Sequence, residues 1–262
     1  MSIVRPTSAQ MTRRLAVLAA ALFAIIIPQA QLLLGWGQTQ AEFAADSDAT
    51  LRVAGYAFSI WGLIYLGLLV YAVRQALPRT GESDILGRLG WPSVVALLGI
   101  GWWIVAAAAD WEWATVVLIF GSVAALAGAM LANAETIRLL PRGDADRWMT
   151  VLPLSLLAGW LTIAAPLNLI TVLTGNGQLP GVLPPTAWAL LVGVMVTGMG
   201  LFGAWRMRLL SYPLPIAWGL LGAFVAEQER NPALAFPILG LAVLTLVGGL
   251  WLSLRLKPGV ER

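Results

Sequence analysis

Eight long apolar runs, separated by short polar joints, set the pattern of this chain. They fall at approximately 15–35, 54–73, 91–109, 113–133, 149–174, 184–205, 210–226 and 234–254. A helix crossing a hydrocarbon core of about 30 Å needs about 20 apolar residues, each rising about 1.5 Å. Transmembrane strands alternate apolar and polar residues, and these runs do not. The pattern predicts an all-α integral membrane protein with eight transmembrane helices. The first run follows "MTRR" and has the basic start of a signal peptide. Its apolar stretch is too long and lacks a clear small-x-small cleavage site, so it is read as a retained helix.

Composition agrees with the pattern. Of 262 residues, 59% are hydrophobic and 11% are charged, against roughly 25% charged in soluble domains. The placement of charge then orients the helices. Arg5, Arg13, Arg14, Arg74, Arg79, Arg88, Arg138, Arg142, Arg147, Arg206, Arg208, Arg255, Lys257 and Arg262 all fall on one side of an alternating eight-span topology. The other side receives Arg52 and Arg230 with Glu42, Asp46, Asp48, Asp110, Glu112, Glu227 and Glu229. By the positive-inside rule both termini are cytoplasmic. Topology thus accounts for the net charge of +3, and no nucleic-acid partner is expected.

The chain has neither cysteine nor histidine. Disulfides, thiol nucleophiles, Cys/His zinc sites and the usual haem ligands are excluded together. The apolar centres of the runs carry no Asp, Glu, Lys, Arg or His, which argues against a proton-coupled pump. No G-x-S-x-G motif occurs, so no catalytic residue and no metal site are assigned. An enzyme would have to work with loop carboxylates or tyrosines.

What remains are tryptophans, 13 of them, and neutral polar groups. An interfacial belt accounts for "DWEW" at 110–113 and for Trp36, Trp91, Trp148 and Trp251. It does not account for Trp61, Trp102, Trp103 and Trp160, which lie well inside their runs and need partners for their indole N–H groups. In the charge-derived topology Gln29, Gln31, Tyr56, Ser59 and Asn168 share the outer halves of the first, second and fifth helices. Asn168 stands in "GWLTIAAPLNLITVL", residues 159–173, just after Pro166. Its amide is either interhelical glue or part of a site. A proline at 166 frees the carbonyl of Thr162, which an indole N–H, a water or a ligand group could use.

These residues carry a resemblance. "FSIWGLIYLGLLVY" resembles the second-helix signature of the TspO/MBR family, the tryptophan-rich sensory proteins related to the translocator protein. Trp61 and Tyr65 keep its W-x-x-x-Y spacing. Trp160, Ala164, Leu167 and Asn168 match the fifth-helix pattern W-x-x-x-A-x-x-x-N with Leu before Asn. "GWWIV", with Trp102 and Trp103, stands where the family has its Trp-bearing third helix. The resemblance covers about residues 15–176. It departs in lacking the W-x-P-P loop after the first helix, in having Gly99 or Ile100 where an Asn precedes the third-helix Trp, and in lacking a tyrosine after the fifth-helix proline.

The resemblance implies a five-helix bundle over 1–176, with a three-helix extension over 177–262. The Gly/Pro-dense joint "LTGNGQLPGVLPPT" at 173–186 marks the division. It implies a sensor or binding protein for a tetrapyrrole, such as a porphyrin, or another planar hydrophobic ligand. Trp61, Tyr65, Trp102, Trp103, Trp160, Ala164 and Asn168 are its candidate contacts. No cofactor is expected beyond such a ligand, and the bacterial cytoplasmic membrane is the expected location. A secondary transporter of a small neutral or lipophilic solute is the alternative, suggested by eight spans and by an echo between "SIWGLIYLG" and "IAWGLLGAF". Small residues at Gly219, Gly222 and Ala223 permit close helix contact, a homodimer included.

Overall fold

A computed structural model of the chain describes residues 7–45, 51–77 and 83–254. Arg5, Asp46, Asp48, Arg79, Arg255, Lys257 and Arg262 of the charge count therefore lie outside the described residues. Among those described the regular structure is helical, with no strand. The helices are α1 (Ser8–Leu34), α2 (Gln40–Ala45), α3 (Ile60–Ala76), α4 (Asp84–Ala108), α5 (Glu112–Ala132), α6 (Ala134–Leu139), α7 (Leu152–Gly175), α8 (Pro185–Met207), α9 (Pro213–Glu227) and α10 (Pro232–Leu254). A 3-10 turn, Gly55–Ser59, leads into α3, and a π turn, Arg147–Val151, leads into α7.

Seven of these helices, with the lead-in turns, are long and apolar enough to cross a membrane. The remaining apolar run, 210–226, gives α9, which has only 15 residues. At about 1.5 Å per residue it rises about 22 Å, short of a hydrocarbon core of about 30 Å. The connection before it explains how so short a helix is used. Arg208 donates to the carbonyl of Leu252 at 3.0 Å, and Arg147 reaches the carbonyl of Arg208. From there the chain turns inward, with Leu209 and Tyr212 buried. Ser211 pairs with Ser155, and the hydroxyls of Tyr212 and Thr162 meet at 2.9 Å. Polar groups on a connection inside the bundle need such partners. Helix α9 therefore starts inside the bundle end, beside Ser155, Gly159 and Thr162 of α7.

Helices α1, α3, α7, α5 and α4 pack in that order into a closed ring, with α4 returning to α1. On the far face of α7 lie α8 and α9, and α10 packs against both of these. Serving both groups, α7 has 78% of its most apolar stretch buried, against 33% for α1. The close approach this requires is visible at Gly159, where an added Cβ would overlap the carbonyl oxygen of Tyr212. Gly219, Gly222 and Ala223 are likewise buried within the chain. Added Cβ atoms at the two glycines would meet Ile163 at 2.8 Å and Ala57 at 2.7 Å.

One end of the bundle is held by basic and polar groups. Arg74 of α3 pairs with Asp146, ahead of α7, at 2.8 Å, and Arg88 of α4 donates to Asn133 after α5. Just inside, Tyr71 and Ser93 share a hydrogen bond at 2.7 Å, and Gln75 donates to Tyr71. At the other end Gln31 donates to the carbonyl of Gln38, whose own amide donates to Ala107 and Asp110. Asn176 after α7 donates to Glu112 there. The rings of Trp91, Trp111, Trp113, Trp148 and Trp251 are exposed on the outer surface.

Candidate ligand-binding site

A recess opens between α3, α4, α5 and α7. It encloses about 850 Å³ unoccupied by protein atoms, counting its open side.

Helical periodicity builds its walls. Trp61 and Tyr65 are one turn apart on α3 and stack at 5.1 Å with their planes 22° apart. Trp160, Ala164, Asn168 and Thr171 recur every three to four residues down α7 and line the facing wall. Edge contacts join the two, Trp61 to Trp160 at 6.3 Å and Phe58 to Trp160 at 6.2 Å. Ile100, Trp103 and Ile104 of α4 complete the enclosure with Ile119 of α5.

Neighbouring residues on a helix point about 100° apart, so Trp102 and Trp103 cannot both face inward. Trp103 lines the recess. Trp102 is 51% exposed on the outside of α4 and packs against Phe23 of α1 at 5.5 Å. The other six candidate residues line the recess and Trp102 does not. Trp102→Leu is expected to leave ligand affinity within about twofold of the parent, as an equilibrium titration would show.

The polar groups of the site divide into satisfied and unsatisfied ones. Asn168 accepts from the indole N–H of Trp103 at 2.8 Å and donates to Thr115 of α5 at 2.9 Å. Its amide ties three helices together while lying in the wall. Thr162 and Pro166 face away from the recess: the Thr162 hydroxyl donates to the Ala158 carbonyl and meets Tyr212. The indole of Trp103 thus uses the Asn168 side chain, not a carbonyl freed by Pro166. The indole nitrogen of Trp61 is buried and has no hydrogen-bond partner among the described residues. Among the described residues, none that lines the recess is charged.

Two further pieces of wall come from outside the ring. Gln40, Phe43 and Ala44 of α2 close one end, with Phe43 edge-on to Trp103 at 5.7 Å. Helix α2 is started by a reciprocal cap in which Thr39 N–H donates to the Glu42 carboxylate at 2.6 Å and Glu42 N–H to the Thr39 hydroxyl. Those bonds hold the Glu42 carboxyl below its ordinary pKa. The T-x-x-E spacing is the sequence signature of such a cap and could have marked this helix in advance. Leu51, Val53 and Phe58, with Gly219 of α9, form the other added wall. No local sequence signal connects Gly219 to residues 160 positions earlier.

Among the described residues no group of three His, Cys, Asp or Glu is placed to hold a metal ion. Neither curated proteins nor solved structures yield a match to the chain. The family model described as TSPO-like protein matches residues 13–251. That match runs beyond the five helices which carry the sequence resemblance and takes in α8, α9 and most of α10. An aromatic recess inside a ring of apolar helices and a match of this extent lead to one assignment: the chain belongs to the TSPO-like family and is an integral membrane protein.

Proposed function

We propose that the recess binds a flat, largely apolar ligand bearing a hydrogen-bond acceptor, with tetrapyrroles the foremost class. The observation that carries this reading is the buried indole N–H of Trp61, which faces no acceptor among the described residues. Leaving such a donor unpaired costs about 1–3 kcal/mol, and a ligand carbonyl or ring nitrogen would recover it. The walls suit a planar molecule, because Trp61, Tyr65, Trp160 and Trp103 offer ring faces and edges. With no charge among the described lining residues, acidic substituents of such a ligand stay at the open side. Without Cys or His, a tetrapyrrole would be held by stacking and hydrogen bonds.

Sensing or binding is the role this supports, in the bacterial cytoplasmic membrane. The reading includes eight passes with both termini cytoplasmic. Support for the eighth pass comes from Arg208, ahead of α9, and Glu227, its last residue, which contact opposite bundle ends. It also includes a five-helix unit to residue 176 and a three-helix extension from 177.

Protoporphyrin IX, titrated into the purified full chain in lipid nanodiscs and followed by Soret absorbance and Trp quenching, tests the function. Saturable binding with the pigment unaltered and no saturable uptake into vesicles is expected. Saturable uptake would replace the reading with transport, and a chemically changed pigment with catalysis. No binding at all would reject the tetrapyrrole class.

A further inference from the structure

The segment before α3 gives the recess Leu51, Val53 and Phe58 on one side. On its other side it lies against α9, a helix outside the ring. Three hydrogen bonds fasten it there. The N–H of Arg52 donates to the Glu227 carboxylate at 3.0 Å, and the N–H of Ala54 donates to the carbonyl of Gly222 at 3.0 Å. The indole of Trp218 donates to the carbonyl of Ala57 at 2.8 Å. The ring of Trp218 also meets Tyr56 edge-on at 5.5 Å. Gly222 allows the approach, since a Cβ there would stand 2.7 Å from that of Ala57 and 3.0 Å from Val53. Glu227 is buried to 2% exposure, and its second partner, Arg230 at 3.4 Å, is partly exposed.

We infer that α9 is a positioning element of the ligand site: Trp218, Gly222 and Glu227 hold residues 51–58 in place as a wall of the recess. Ligand affinity inside the ring then depends on a helix outside it, which gives the extension a part in binding. The arrangement follows from the chemistry of the segment. A short extended stretch before a helix has backbone donors that no ladder satisfies, and in an apolar surrounding they need fixed acceptors. Glu227 and the carbonyl of Gly222 supply two. This inference rests on the proposed ligand site, so one of its readouts is independent of any ligand.

The chain has no cysteine, so Leu51→Cys introduces a single thiol at a position 2% exposed. Its rate of reaction with a small maleimide reports the wall directly. In that background Glu227→Ala and Trp218→Phe are expected to raise the rate about fivefold or more. Glu227→Gln keeps an acceptor oxygen for Arg52 and is expected to stay within about twofold. Without the Leu51→Cys change, Glu227→Ala and Trp218→Phe should weaken protoporphyrin IX binding about fivefold, measured per folded protein, and Glu227→Gln should restore it. Unchanged labelling in Glu227→Ala and Trp218→Phe overturns the inference. So does raised labelling with undiminished porphyrin affinity, or a Glu227→Gln variant that behaves like Glu227→Ala. If the parent chain binds no porphyrin, the ligand reading fails separately, and labelling alone decides whether α9 holds the wall.

Discussion

Gly159→Val is expected to destabilise the protein by about 3 kcal/mol or more, the upper part of the range for overpacking a tight contact. The reason is the identity of the obstructing atom. A Cβ at 159 would overlap the carbonyl oxygen of Tyr212, with Pro215 next beyond it at 3.3 Å. A side chain can rotate away from a new methyl group, but this backbone carbonyl belongs to the buried connection that launches α9. Relief would require α7 and the 209–212 connection to separate, breaking the Thr162–Tyr212 and Ser155–Ser211 pairs. Gly128→Val provides the control, because nothing lies within 4 Å of a Cβ built there. Unfolding in detergent by heat or denaturant should separate the two variants. Equal stability would mean that the contact between α7 and the α9 connection is misread.

Asn168→Leu is expected to lower stability by about 1–3 kcal/mol, the penalty for leaving a buried donor without a partner. Leucine removes the acceptor of the Trp103 indole and the donor to Thr115 together. Interhelical hydrogen bonds in membranes are individually worth about 0.6–2 kcal/mol, so the two bonds reach the same range. Porphyrin affinity should fall as well, by up to about tenfold, which corresponds to about 1.4 kcal/mol. That second loss follows because the indole of Trp103 is part of the recess and Asn168 fixes its orientation. Losses of both stability and affinity would make this amide glue and site at once. Thermal unfolding and titration on the same preparation would check both. A stable Asn168→Leu variant would show that neither bond matters.

Where the sequence spoke clearly, it did so through periodicity. W-x-x-x-Y places Trp61 and Tyr65 one turn apart, and they stack. The same spacing puts Trp160, Ala164 and Asn168 on one stripe of α7. Periodicity also separates Trp102 from Trp103, since adjacent residues of a helix diverge by about 100°. The family pattern names the pair of tryptophans without choosing between them, and the structure makes the choice through Ile100 and Ile104, which flank Trp103 inward. The run at 210–226 showed that a helix exists but not that it starts inside the bundle. That depth is set by Ser155, Gly159 and Thr162, residues of another helix. The wall at 51–58 and its fastening to Glu227 were illegible for the same reason. They are contacts across about 170 positions, and no local pattern encodes which glycine will admit which segment.

The recess between α3 and α7 is the proposed seat of the ligand. Its most direct test is an equilibrium titration of protoporphyrin IX against the parent chain and a Trp61→Leu/Trp160→Leu double variant that remains folded. The substitutions remove the unpaired indole donor and the ring faces of two opposing walls while leaving smaller apolar side chains there. The account predicts an affinity at least about tenfold weaker in the double variant, with Trp102→Leu unchanged beside it. Equal affinity in the double variant and the parent would contradict it.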